Sequence, residues 1–231
     1  MRSDNLYLIK NRHILGGHMG NTFYIVRHGQ TDWNILGKTQ GHGNSDLTPQ
    51  GIEQAKELSE DIGKYSIDYI FSSDLGRAMQ TAQILGDKLN IEVQKTEALR
   101  EMGFGVWEGL LIKEIQKDYS DIYATWRNEP HLVNIPEGET LKIIKERVDA
   151  FIKELNEKYD NKNIILVTHS ITLRVMLLSF LESGMENIYR IKQDNTALNI
   201  VEFKDYGPVI VKMNDTSHIK NHVKINNSAL E

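Results

Sequence analysis

The run Ile164-Ile165-Leu166-Val167, closed by Thr168-His169-Ser170 and followed by a segment from Ile171 to Leu181 that is apolar nearly all round, limits this chain more than any other feature. Four consecutive aliphatic residues with no polar alternate cannot form a strand with one wet face, so that strand must be covered on both sides. A helix without a polar stripe must be buried too. The two together demand a layered α/β core around an interior strand. Partners for it recur along the sequence. Phe23-Tyr24-Ile25-Val26 is a similar run ending at Arg27-His28-Gly29, and Tyr69-Ile70-Phe71 another ending at Ser72-Ser73-Asp74.

Helical patterns lie between these runs. Thr48-Pro49 supplies an N-cap and a proline for the first helical position, after a turn-rich stretch from Gly37 to Leu47. Ile52, Ala55, Leu58 and Ile62 then predict one face packed on a sheet, leaving Glu53, Glu57 and Glu60 on the solvated face. Beyond Asp74, Ala78, Ala82, Leu85 and Leu89 mark the inner face of a helix that carries Arg77 in its first turn; Ile91 to Val93 predicts a weak strand. Glu97 to Pro136 reads as irregular, with a short helix around Ile112 to Tyr119. Thr140 opens a long amphipathic helix through Ile144, Val148, Phe151, Leu155 and Tyr159. Ala197 to Phe203 and Pro208 to Met213 predict a hairpin turned at Asp205-Tyr206-Gly207. The expected fold is α/β: a three-layer α/β/α domain over residues 21–214, with a mixed, mostly parallel central sheet and a lid at about 103–137. Residues 1–20, with Gly16-Gly17-His18-Met19-Gly20, are expected to be a leader or a cloning-derived extension, and residues 215–231 a loose polar tail.

Composition narrows the classes of partner. The 27 lysines and arginines against 32 aspartates and glutamates give a net charge of -5, so no global basic field awaits a nucleic acid or an anionic membrane. A bound anion must be met by a local cluster. No apolar run reaches the ~20 residues of a membrane span, so a cytoplasmic location is expected. The absence of cysteine excludes disulfides, thiolate zinc sites, iron–sulfur ligation and a cysteine nucleophile. His42 and His131 show no ligand spacing with an acidic partner, so neither a metal nor another cofactor is expected. Oligomeric state stays open, a dimer included.

Open α/β sheets bind ligands beyond the carboxyl ends of their strands. Here those ends carry Arg27-His28, Ser72-Ser73 with Arg77 just beyond, and Thr168-His169. Two arginines and two histidines can surround a phosphoryl group, the guanidinium forks matching its oxygens and a histidine serving as donor or nucleophile.

The stretch from Phe23 through Arg27-His28-Gly29-Gln30-Thr31-Asp32-Trp33-Asn34 resembles the signature of the histidine phosphatase superfamily, the phosphoglycerate mutase-like enzymes. Further matches follow in the family's order: Gln40-Gly41, Leu47-Thr48 with Gly51, Ser72-Ser73-Asp74-Leu75 with Arg77-Ala78 and Thr81-Ala82, Leu99-Arg100-Glu101, Trp107-Glu108-Gly109, and Val167-Thr168-His169. Gln30 and Ser170 depart from the commoner glutamate and glycine. The resemblance implies a phosphoglycerate mutase-like fold, His28 as a nucleophile that becomes phosphohistidine, and Arg27, Arg77 and His169 as the catalytic groups around the phosphoryl oxygens. It implies Asn34, Gln40 and Gly41 as substrate contacts and Glu101 as general acid, with Glu108 in a structural turn. The mutase branch carries an arginine-histidine-tyrosine run after its acid, where this chain has Met102-Gly103-Phe104, which favours hydrolysis over transfer. Pro130-His131-Leu132, Gly138-Glu139 and Ser217-His218-Ile219 resemble the broad-specificity bacterial phosphatases of the family. The implied partner is a small-molecule phosphomonoester; a narrower phosphatase for a nucleotide-loop intermediate, a sugar bisphosphate or a phosphoamino acid is the alternative. A catalytically silent phospholigand-binding module fits less well, because His28, His169 and Glu101 are all present.

Overall fold

A computed structural model describes residues 20–220. Six strands form one sheet in the order β3-β2-β4-β1-β5-β6: β1 (Thr22–Arg27), β2 (Tyr69–Ser73), β3 (Val93–Thr96), β4 (Asn163–Thr168), β5 (Leu198–Lys204) and β6 (Gly207–Asp215). β1 to β4 run parallel, and β5 and β6 add an antiparallel hairpin on the β1 side. The expected mixed, mostly parallel sheet is thus present. β4, the most apolar run, lies between β1 and β2, where both of its faces are covered.

Strand alternation divides the interior into two layers. Tyr24, Val26, Ile70, Ile165, Val167 and Leu198 face α2 (Pro49–Ile62) and α3 (Gly76–Leu89). On the opposite face Phe23, Ile25, Phe71, Ile164 and Leu166 pack with α6 (Leu141–Lys158) and α7 (Ser170–Phe180), every residue of α7 being buried. Register then sets the site: Arg27 pairs with Thr168 and Ser72 with Val167, so the carboxyl ends of β1, β2 and β4 finish level at one edge.

Several expectations need correction. The third strand begins at Val93 rather than Ile91, because Asn90 turns left-handed (φ 54°) after α3 and the Ile91 N–H is spent on the Gly86 carbonyl. On α2, Ile52 is 38% exposed; Gly51 takes the inner place, where a Cβ would fall 2.0 Å from the Gln30 carbonyl oxygen. Glu57 is buried rather than solvated, since the segment at Lys220 crosses it and Lys220 N donates to its Oε1 (3.3 Å). Residues 97–136 hold more regular structure than expected, with α4 (Ile112–Asp118) joined by α5 (Ser120–Asn128). The segment expected as a lid anchors itself in the core through Trp107 and Trp126, both fully buried. A short helix, α1 (Asp32–Leu36), follows the first site residues and is closed by a capping box between Thr31 and Asn34.

The expected loose tail also fails over the part described. His218 and Ile219 are buried, and β6 reaches Asp215. Residues 1–19 and 221–231, including His13 and His18, lie outside the described residues. Among the described residues, no helix is long and apolar enough to cross a membrane.

Candidate active site

Arg27 and His28 close β1. His28 N donates to the Thr168 carbonyl (3.0 Å), continuing the β1–β4 ladder one residue past the strand. Its ring Nδ1 lies 2.7 Å from the Gly29 carbonyl oxygen. A carbonyl only accepts, so Nδ1 carries the proton and the lone pair resides on Nε2. Gly29 cannot be larger: a Cβ there would fall 2.6 Å from the Gly51 carbonyl oxygen at the start of α2. Its N–H donates to Thr81 Oγ1 (3.0 Å), and that hydroxyl donates on to the Arg77 carbonyl (2.8 Å).

His169, at the end of β4 and the N-cap of α7, faces His28 with ring centroids 5.1 Å apart and planes tilted 57°. Its Nε2 meets Ser73 Oγ at the end of β2 (2.8 Å), while Nδ1 is buried with no hydrogen-bond partner. Burial, then the charge of Arg77, holds both histidines well below the ordinary imidazole range, with Arg27 adding to the effect. Both rings are therefore neutral at pH 7.

Backbone carbonyls orient both guanidinium groups. Arg77 Nη1 donates to the Gly43 carbonyl (2.9 Å) and Nη2 to that of Gly41 (2.7 Å), while its Nε is buried without a partner. Desolvation lowers this guanidinium to about 10, which still leaves it charged at neutral pH. Arg27 donates through Nη1 to the Gln193 carbonyl. Two buried guanidinium groups beside two neutral imidazoles are an arrangement whose donors and charges suit a phosphoryl group.

Glu101 is buried opposite, its carboxylate resting on the start of α7. Oε1 accepts from Met102 N (2.9 Å) and Thr172 N (3.1 Å), and Oε2 from Ile171 N (3.2 Å). The Ile171 and Thr172 amides belong to the first turn of α7, which has no intrahelical acceptor for them, and together with Met102 N they fix the rotamer. Glu108 instead braces the loop, Oε1 accepting from His42 N (2.9 Å) and Phe104 N (3.0 Å). The expected substrate contacts divide. Asn34 Oδ1 caps Thr31 N (3.0 Å) and accepts from Asn195 Nδ2 (3.3 Å), whose other bond goes to the His28 carbonyl. Gly41, left-handed at φ 53°, gives its carbonyl to Arg77, and Gln40 Oε1 is buried without a partner.

The loop before β5 escaped the sequence reading. Thr196, at φ 55°, directs its N–H at the carbonyls of Arg27 (3.1 Å) and His28 (3.3 Å), and Asn195 Nδ2 donates to the His28 carbonyl (3.0 Å). Thr196 Oγ1 donates to the Asn195 carbonyl (2.8 Å) and accepts from His218 Nε2 (3.1 Å), so His218 braces the loop that holds the backbone of Arg27 and His28. Gln193 and Asn199 pair through both amides (3.0 and 2.9 Å) beneath Arg27. The only sequence signal was the polar run Gln193-Asp194-Asn195-Thr196 ahead of an apolar strand. Among the described residues, no group of three potential metal ligands comes together.

Comparison with known proteins returns one family. Residues 23–216 match the histidine phosphatase superfamily (branch 1). Phosphoserine phosphatase 1 of Hydrogenobacter thermophilus is 31% identical over 195 residues, covering 84% of this chain and 92% of the relative. The crystal structure of a phosphoserine phosphatase from Entamoeba histolytica in complex with phosphoserine superposes with a TM-score of 0.76 at 30% identity, covering 86% of this chain and 99% of that one. YhfR of Bacillus stearothermophilus superposes at 0.83 with 26% identity, covering 86% and 98%.

Proposed function

The chain belongs to the histidine phosphatase superfamily and is a phosphatase of small phosphorylated metabolites, and from that premise we propose that it hydrolyses them through a phosphohistidine formed on His28. The observation that carries this reading is the His28 ring: neutral, its Nδ1–H held by the Gly29 carbonyl, its Nε2 lone pair left for attack, and two buried guanidinium groups close by.

In the first step the Nε2 lone pair attacks phosphorus, the N–P bond forms, and the P–O ester bond breaks. Arg27, Arg77 and His169 take up the charge spread over the phosphoryl oxygens. Glu101 gives its proton to the departing alkoxide. The phosphorylated ring is cationic, and the Gly29 carbonyl at Nδ1–H steadies that charge. In the second step Glu101 takes a proton from water, the water oxygen attacks phosphorus, and the N–P bond breaks to release phosphate and regenerate neutral His28. Asn34 and Gln40 complete the proposed substrate contacts, and Gly41 acts through the carbonyl it gives Arg77.

The substrate is a small phosphomonoester. The relatives named for phosphoserine place that compound first in a panel, and Met102-Gly103-Phe104 after the acid supports hydrolysis over mutase transfer. The test is phosphate release across phosphoserine, 3-phosphoglycerate, sugar phosphates and nucleotides, with 3-phosphoglycerate also followed for 2-phosphoglycerate. Free phosphate from one or more members is expected; 2-phosphoglycerate as the main product would refute the hydrolase reading.

A further inference from the structure

His42 touches the machinery from two directions. It sits between Gly41 and Gly43, whose carbonyls hold Arg77, and its own N–H donates to Glu108 Oε1 (2.9 Å). Its ring Nε2 lies 2.9 Å from the backbone carbonyl oxygen of Glu101. Since that oxygen only accepts, Nε2 carries a hydrogen, and it does so equally in the neutral ring and the imidazolium. Glu139 Oε2 lies 3.7 Å from the same nitrogen but also receives Gly103 N (2.9 Å) and Arg147 Nη2 (3.2 Å). The Glu101 carboxylate is fixed from the other side by the amides of α7. One imidazole hydrogen bond therefore joins the loop that holds the phosphate-facing guanidinium to the backbone of the proton donor.

We propose that His42 is a positioning residue for Glu101, setting the acid's distance from the group held by Arg77. The proposal rests on the acid role given to Glu101 above. A side chain 39% exposed can be replaced without opening a core cavity, so the effect is separable from folding.

Three variants test it: Glu101→Gln as reference, His42→Leu, which removes the donor, and His42→Gln, whose amide N–H can reach the same carbonyl. Single-turnover phosphoenzyme formation is followed with an alkyl phosphate, whose leaving alkoxide needs a proton, and with p-nitrophenyl phosphate, whose leaving anion does not. A misplacement of the order of an ångström costs up to ~10²-fold, so His42→Leu should slow the alkyl substrate about 10-fold to 10²-fold and p-nitrophenyl phosphate by less than about threefold. His42→Gln should recover most of the loss, and the pH profile should keep its limbs, because the Nε2 donor survives protonation. Equal slowing of both substrates by His42→Leu, or no recovery in His42→Gln, overturns the role of His42 while Glu101→Gln stays leaving-group selective. If Glu101→Gln itself slows both substrates equally, the acid assignment is wrong and the positioning role falls with it.

Discussion

Acidifying the protein below about pH 6.5 should cost it stability, well before its carboxylates titrate. Burial, and then Arg77, holds His28 and His169 well below the ordinary imidazole range in the folded protein. In the unfolded chain both titrate near the ordinary value of about 6.5. Below that pH the unfolded state binds more protons than the folded one, so stability falls as pH falls, and the loss continues until the folded-state values are reached. From about one pH unit above 6.5 upward these two groups contribute almost no slope. One proton bound by the unfolded chain and not by the folded one costs at most about 1.4 kcal/mol per pH unit, set against a total of ~5–15 kcal/mol typical of a domain. The perturbed carboxylates act lower. The hydrogen bond from Arg100 lowers Asp74, and Asp215, despite the desolvation that burial imposes, is held at about 2 by Lys212 and Ser217. Their stabilising effect is present above the unfolded carboxylate value and disappears only toward those lower values. Urea unfolding at a series of pH values, on the wild type and on His28→Asn and His169→Asn, measures the slope directly. Each variant should lose about half of it. A wild-type slope near zero between pH 6 and 5, or variants as steep as the wild type, would refute the reasoning.

Gly29→Ala places a methyl 2.6 Å from the Gly51 carbonyl oxygen, and the backbone shift needed should reduce kcat by about 10²-fold while costing about 1–3 kcal/mol in urea unfolding. Trp126→Ala removes a fully buried indole that meets Phe104 (5.7 Å, 88°) and Tyr189 (5.9 Å, 85°) edge to face, and should cost ~3–5 kcal/mol by calorimetry or urea. Activity should survive exhaustive dialysis against EDTA, because the proposed charge stabilisation comes from Arg27, Arg77 and His169; loss of turnover restored by zinc or magnesium would show otherwise.

The layered fold was legible because its signals were long and local. Ile164 to Val167 and the apolar Ile171 to Leu181 allow no exposed placement, and the proline after Thr48 marks α2 to the residue. Legibility failed where long-range contacts decide. Nothing near Glu57 indicates that Lys220 will cross it, and Ile52 loses the inner position to a glycine only because the Gln30 backbone comes so close. α5 is a single short amphipathic stretch whose helical state depends on docking Trp126 into the core. At the site, the chemistry-bearing residues stood out because they follow strand ends in a recurring pattern. Their supports did not: Thr196 and Asn195 reach the carbonyls of Arg27 and His28 from more than 160 residues away in sequence, and His218 reaches Thr196 in turn. His42 read as an ordinary surface histidine because its partner is a backbone carbonyl, which no side-chain pattern announces.

The central claim, a covalent phosphohistidine on His28, is tested most directly by trapping. Enzyme mixed with phosphate-labelled substrate is quenched within a single turnover by alkaline denaturation, which preserves an N–P bond, and the labelled peptide is identified by mass spectrometry. The account predicts acid-labile, base-stable label approaching one per chain, on the peptide containing His28, and none in a folded His28→Ala variant. Label retained in His28→Ala, or wild-type label that is acid-stable and on another residue, would contradict it.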